Sequence, residues 1–249
     1  MGAMIEKITN PHDRFFKEVW SHKNVAQDFL RHYLPGEVVE LLDLNSLTLA
    51  KESFVDANLR VHYSDLLYAL KLRDGAPAWA YILFEHKRSR ERSTAFQLLR
   101  YIVRIWERVS QDRTQTEMSP ILPILVYHGI STWPYGEMLQ QSMSVPPPLA
   151  AYTPNFRFVL CDLSGLAEAE IRGAVLLRTA MLLMKYISDP CLGERLPAVF
   201  ELLRTVGERR TVLEYLETLL RYLAVAADTL TETDIRRALS SALPRWRKR

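Results

Sequence analysis

Two extended apolar runs, "ANLRVHYSDLLYALKLRDG" (57–75) and "APAWAYILFEHK" (76–87), flank one tight-turn signal at Asp74-Gly75. An Asp-Gly pair between two such runs reads as a β-hairpin, so a large part of the architecture follows from this segment. The second run stops at Glu85-His86-Lys87, and a basic, helix-patterned segment, "RERSTAFQLLRYIVRIWERVSQDR", begins at residue 90. Side chains alternate along a strand, so Glu85 and Lys87 share one face and Phe84 and His86 take the other. With the turn centred on Gly75, Asp65 and Glu85 stand opposite each other. Directly opposed residues bring their Cβ atoms to roughly 4.5–5.5 Å.

The pattern elsewhere supplies the partners of this hairpin. "TNPHDRFFKEVWSHKNVAQDFLRHYLP" opens with Thr9 or Asn10 as a cap and Pro11 in the first turn. Its apolar stripe implies helix, broken near Ser21 and ended by Pro35-Gly36. A connecting segment is expected to about Leu49. In the helix after Lys87, residues Ala95, Leu98, Leu99, Ile102, Trp106 and Val109 follow the 3.6-residue period. "PILPILVYHG" and "FRFVLCDL" read as two further short strands, separated by a loop-rich piece containing Pro146, Pro147 and Pro148. After Gly165 the chain becomes helical, with Thr231 and Asp234 patterned as the cap of a last short helix and "PRWRKR" as a basic tail. The order of elements predicts an α/β fold with a mixed central sheet flanked by helices and a helical C-terminal extension. The division expected is a core over residues 1–165 and a helical region over 166–249 packed on it.

Composition narrows the classes. The chain has 249 residues, 48% of them hydrophobic and 24% charged, which suits a folded domain with a sizeable core. A net charge of +3 is too small to imply a polyanionic partner by itself, so the distribution of charge matters more. Cys161 and Cys191 have no metal-like spacing and are expected to be reduced, mostly buried thiols. No apolar run approaches the ~20 residues of a membrane span, and the start "MGAMIEKITN" lacks the character of a secretion signal. Met1-Gly2-Ala3 before Met4 looks like an appended segment. A soluble cytoplasmic protein without a membrane partner is expected.

Asp65, Glu85 and Lys87 are the residues with chemistry. Two ionised carboxylates this close repel unless a cation lies between them. Hard oxygen ligands suit Mg²⁺ or Mn²⁺, and Ca²⁺ also fits. Lys87 could then contact a phosphate oxygen or orient an attacking water, the parts that metal-assisted phosphodiester hydrolysis needs. By residue type alone, a salt-bridged patch on a solvated sheet face is the more ordinary account of Glu85 and Lys87, since alternating Glu-x-Lys is common in strands. The segment that follows carries Lys87, Arg88, Arg90, Arg92, Arg100, Arg104, Arg108 and Arg113 against only Glu91, Glu107 and Asp112. On a helical wheel Gln97, Tyr101, Arg104 and Arg108 fall opposite Leu99 and Trp106. A basic stripe beginning where the carboxylate strand ends suits a polyanion lying across a metal site, and a solvated charged face accounts for it too. His86 and His128 are expected to pack, and Gly129 to make a turn. No phosphate-binding glycine loop, zinc spacing or serine-nucleophile elbow is present.

Asp, a hairpin, Glu-x-Lys at the end of an apolar strand and then a helix resembles the active-site pattern of the PD-(D/E)XK nuclease superfamily. "QLLRY", residues 97–101, resembles the Q-x-x-x-Y helix motif of its RecB-like members. "PHDRFFKEVW", "SDLLYAL", "YILFEHK", "LLRYIVRIWER" and "PILVYHG" are similar, in that order, to the recombination-promoting nuclease (Rpn) family, also described as YhgA-like transposases. The resemblance covers roughly residues 10–190. It implies a restriction-endonuclease-like core and a metal-dependent DNA endonuclease linked to recombination or mobile elements. Carried over by position, it implies Asp65 and Glu85 as metal ligands with the backbone carbonyl of His86, Lys87 as catalytic lysine and Gln97 as a helper. It also implies an acid on the first helix, Asp13 ahead of Glu18. Arg88, Arg100, Tyr101 and Arg104 are the residues expected to meet DNA. Ser64 stands where the superfamily name has proline. A homodimer would suit double-strand cutting. The alternative is a catalytically inactive nucleic-acid-binding or protein-interaction module that keeps the fold.

Overall fold

The computed structural model describes residues 10–50, 66–73, 79–110, 118–227 and 230–243. The chain divides into two compact units, Trp20–Leu166, and Met1–Val19 together with Ala167–Arg249.

The Trp20–Leu166 unit is built on a five-stranded sheet in the order β1-β2-β3-β4-β5, formed by Leu42–Leu49, Leu66–Leu72, Trp79–Lys87, Ile121–Tyr127 and Val159–Asp162. β1, β2 and β3 pair antiparallel, whereas β3, β4 and β5 pair parallel, so the sheet is mixed as expected. The hairpin register runs from Leu66 opposite Phe84 to Lys71 opposite Trp79. Every one of these pairs is symmetric about position 75, which is the register expected with the turn centred on Gly75. Asp65 itself lies outside the described residues.

The alternation of β2 and β3 separates two cores. Tyr68 and Phe84 point to one face, where Phe84 meets Phe29 of α2 (Lys23–Tyr33) edge-to-face at 5.5 Å and Tyr68 at 6.1 Å. The Tyr68 hydroxyl donates to the Trp20 carbonyl at 2.7 Å, and burial pushes its pKa well above the usual phenol range. Leu67 and Leu125 point to the other face and pack with Ala95, Leu98, Tyr101, Ile105 and Val109 of α4 (Thr94–Ser110). β4 is buried from Pro123 to Tyr127, as a parallel strand covered on both faces should be.

The segment before residue 49 is not a plain connection. It forms a short helix, α3 (Gly36–Leu41), and then β1. The strand signal is scrambled by a register shift between Asp43 and Thr48, where the Asp43 carboxylate accepts the Asn45 N–H and the Ser46 hydroxyl donates to the Asp43 carbonyl. A bulge of this kind breaks the period-2 pattern by which a strand is recognised.

In the other unit, α1 (Pro11–Trp20) is capped by the Asn10 side chain, which accepts the Asp13 N–H at 3.2 Å. Phe15 stacks on Tyr222 of α7 (Arg209–Ala226) at 3.9 Å, and His12 Nδ1 lies 2.8 Å from the Tyr222 hydroxyl. α5 (Val175–Tyr186) and α6 (Leu192–Glu201) precede α7, and α8 (Glu232–Ala242) follows it. Thr231 and Asp234 form the expected reciprocal cap of α8. Cys161 is buried, and burial raises its thiol pKa; Cys191 is exposed, contrary to the expectation of two mostly buried thiols. No helix among the described residues is long and apolar enough to cross a membrane.

Candidate active site

Glu85 and Lys87 leave β3 on the face that carries α4, because Glu85 is registered with Leu125 and Lys87 with Tyr127. Lys87 Nζ lies 3.4 Å from Glu85 Oε1, so the two side chains share a face as their spacing requires. The surroundings are not those of a solvated patch: the Glu85 side chain is 2% exposed and that of Lys87 15%. A carboxylate is held this deep only when a cation or hydrogen-bond donors repay its desolvation.

A third charged group completes the arrangement. Lys87 Nζ also reaches Glu91 Oε2 at 3.2 Å, and the Ser89 hydroxyl donates to Glu91 Oε1 at 2.7 Å. Burial pushes the Glu91 carboxyl up, but the Ser89 hydrogen bond, the Lys87 charge and the hydrogen bonds from Lys87 and Gln97 outweigh it and hold the carboxyl below the usual range. Glu91 escaped the sequence reading, where it counted only as a minority acid in a basic run. It sits in a turn before α4, where its carbonyl accepts the Thr94 N–H at 3.1 Å, so no helical or strand period announces that it folds back on Lys87.

The remaining sequence candidates separate. His86 and His128 are buried and their rings stack at 5.6 Å and 11°, so both pack, as expected. Tyr101 is 5% exposed and belongs to the α4 core cluster. It is therefore removed from the nucleic-acid face on which the helical wheel put it. The buried face of α4 is centred on Leu98, Tyr101, Ile102 and Ile105, whereas Leu99 and Trp106 lie at its margin. The exposed face keeps Arg100 and Arg104 and adds Phe96 and Val103; Arg104 pairs with Glu107 at 2.9 Å. Arg88 is exposed. On α1, Asp13 pairs with Lys17 at 3.5 Å, and Glu18 is engaged by the Thr218 hydroxyl and by Arg221. Among the described residues no group of three or more His, Cys, Asp or Glu side chains is placed to hold a metal ion. Glu85 and Glu91 supply hard oxygen donors of the kind such an ion takes, and Asp65 lies outside the described residues.

Gly129 is held beside this strand end by contact rather than by an unusual backbone angle. A Cβ at this position would overlap the Tyr127 hydroxyl and stand 2.8 Å from the Arg88 carbonyl. Tyr127 cannot swing away, being buried with its hydroxyl donating to the Ser131 carbonyl at 2.9 Å. Gly129→Ala is therefore expected to cost about 1–3 kcal/mol by overpacking. A scanning-calorimetry melting point should fall by about 2–4 °C for each kcal/mol.

Comparison with known proteins agrees with the residues. The chain is 29% identical over 242 residues to recombination-promoting nuclease RpnD of Escherichia coli O157:H7, covering 97% of this chain and 91% of the relative. It is 33% identical over 180 residues to recombination-promoting nuclease RpnC of E. coli K12, covering 72% and 59% respectively. It is also 32% identical over 228 residues to the E. coli K12 protein named inactive recombination-promoting nuclease-like protein RpnE, covering 91% and 74%. No solved structure matches the chain. Residues 10–213 match the family described as "Putative transposase, YhgA-like", and the chain belongs to that family.

Proposed function

We propose that the chain is a metal-dependent DNA endonuclease acting in recombination or mobile-element biology. The observation that carries this reading is the buried Glu85 paired with Lys87 at the end of β3, in a chain whose relatives include proteins named nucleases. In this reading the core, residues 1–165, is of the PD-(D/E)XK type. Asp65, Glu85 and the His86 backbone carbonyl would hold a Mg²⁺ or Mn²⁺ ion. A bound divalent cation would polarise the scissile phosphodiester and offset charge developing on its oxygens. Lys87 orients the attacking water or a phosphate oxygen, and its ammonium stabilises the negative charge that grows there. Arg88, Arg100 and Arg104 hold the DNA backbone, and a homodimer would bring two sites to a duplex.

The test is incubation of supercoiled plasmid with purified protein in Mg²⁺, Mn²⁺, Ca²⁺ or EDTA, beside Asp65→Ala. Nicking in Mg²⁺ or Mn²⁺ is expected, abolished by EDTA and reduced in the variant by more than the roughly 10–100-fold that loss of an outer-shell partner of a metal ligand costs. Equal nicking by both proteins would overturn the assignment. Because one relative is named inactive, a second reading is a non-catalytic nucleic-acid-binding or protein-interaction module. Salt-dependent DNA binding without metal-dependent cutting would favour the nucleic-acid-binding form of that reading.

A further inference from the structure

Lys87 is held from two sides, and only one of them belongs to the strand. An unrestrained lysine side chain carries about 2 kcal/mol of rotamer entropy. A single carboxylate on its own strand, 3.4 Å away, leaves it free to swing about that contact. Glu91 removes this freedom by meeting the same nitrogen at 3.2 Å from the turn before α4. Glu91 is itself 38% exposed and could have faced water at little cost. Instead both of its oxygens are committed, Oε1 to the Ser89 hydroxyl and Oε2 to Lys87. The order of contacts is Ser89, Glu91, Lys87, Glu85. Glu85, Lys87 and Glu91 together carry one net negative charge, so the lysine is seated without making the strand end cationic.

We propose that Glu91 is a positioning residue that seats the Lys87 ammonium against Glu85. The proposal deepens the nuclease reading and rests on it for its catalytic consequence, but the seating itself is a property of the metal-free protein. A purely structural role would make Glu91 a stabiliser of its turn and leave Lys87 where it is.

Trace acetylation of the full-length, metal-free protein with acetic anhydride, read by mass spectrometry, measures how available the Lys87 amine is, with Lys71 as internal reference. Glu91→Gln and Glu91→Ala should raise Lys87 labelling about tenfold, the scale of one charge-assisted hydrogen bond. Glu91→Asp should restore most of the protection. In the plasmid assay Glu91→Gln should lower the cleavage rate by about tenfold or more, with the DNA Kd in Ca²⁺ changed by less than about twofold. In a Lys87→Ala background the same substitution should have no further effect on rate. Unchanged Lys87 labelling in both Glu91→Gln and Glu91→Ala overturns the proposal, whether or not their melting points fall. If the wild-type protein cuts no DNA, the endonuclease reading fails while the labelling result still decides the seating.

Discussion

Lys87→Ala is expected to lower the plasmid cleavage rate about 10²–10⁴-fold, the range that a positioned proton-handling or charge-stabilising group contributes. The change removes the group that links Glu85 to Glu91 and leaves both carboxylates in place, so a hard-cation site would survive it. DNA affinity in Ca²⁺ should therefore hold while turnover falls, which separates a catalytic loss from a binding loss. The same substitution has a cost in stability, because Glu85 is 2% exposed and loses its partner at 3.4 Å. Removing one member of a fully buried pair costs about 3–5 kcal/mol. With Lys87 15% exposed, the expectation here is at the lower end of that range or below it. Lys87→Arg is not a conservative control, since a planar guanidinium cannot present one compact cation to two carboxylates at once. Cleavage by Lys87→Ala at the wild-type rate in Mg²⁺, with the melting point unchanged, would remove the lysine from the chemistry.

Phe84→Ala is expected to produce the largest loss of stability among single substitutions in the sheet. Phe84 is fully buried, precedes Glu85 in β3 and points to the opposite face, where it meets Phe29 at 5.5 Å and Tyr68 at 6.1 Å. Truncating a core phenylalanine costs about 3–5 kcal/mol, from lost transfer energy and from the cavity left behind. Two edge-to-face ring contacts add to the loss. For a unit of this size the melting point should fall by roughly 6–20 °C, combining that cost with about 2–4 °C per kcal/mol. Phe84→Leu, which keeps most of the volume, should recover more than half of the loss. Because Phe84 and Glu85 face opposite sides, cleavage by Phe84→Leu below its melting point should match the wild type. A Phe84→Ala protein that melts within about 2 °C of the wild type would show that the aromatic contacts on the α2 face carry little of the stability.

The hairpin was legible because its register depends only on counting. With the centre taken at Gly75, every pair from Leu66–Phe84 to Lys71–Trp79 falls where counting puts it. The facing of Glu85 and Lys87 was legible for the same reason, since strand alternation is local. β1 was not, because the Asn45–Ser46 irregularity breaks the alternation that identifies a strand. The orientation of α4 was legible only approximately. A wheel built on Leu99 and Trp106 lies one residue away from the face that the sheet covers, and that step moves Tyr101 from the surface into the core. An amphipathic tyrosine is compatible with either side, so only the packing partner decides.

What the sequence determined by itself is therefore the local geometry: a strand register, two charged side chains on one face of a strand, and a following amphipathic helix. Family membership across residues 10–213 agrees with that pattern. What only the tertiary structure decided is the environment of those side chains. Burial of Glu85 depends on β4 and α4 closing over the strand, and Glu91 reaches Lys87 because an irregular turn folds back before α4. Neither has a period or a spacing of its own. Desolvation and charge pairing arise from where distant segments meet, which a one-dimensional pattern does not carry.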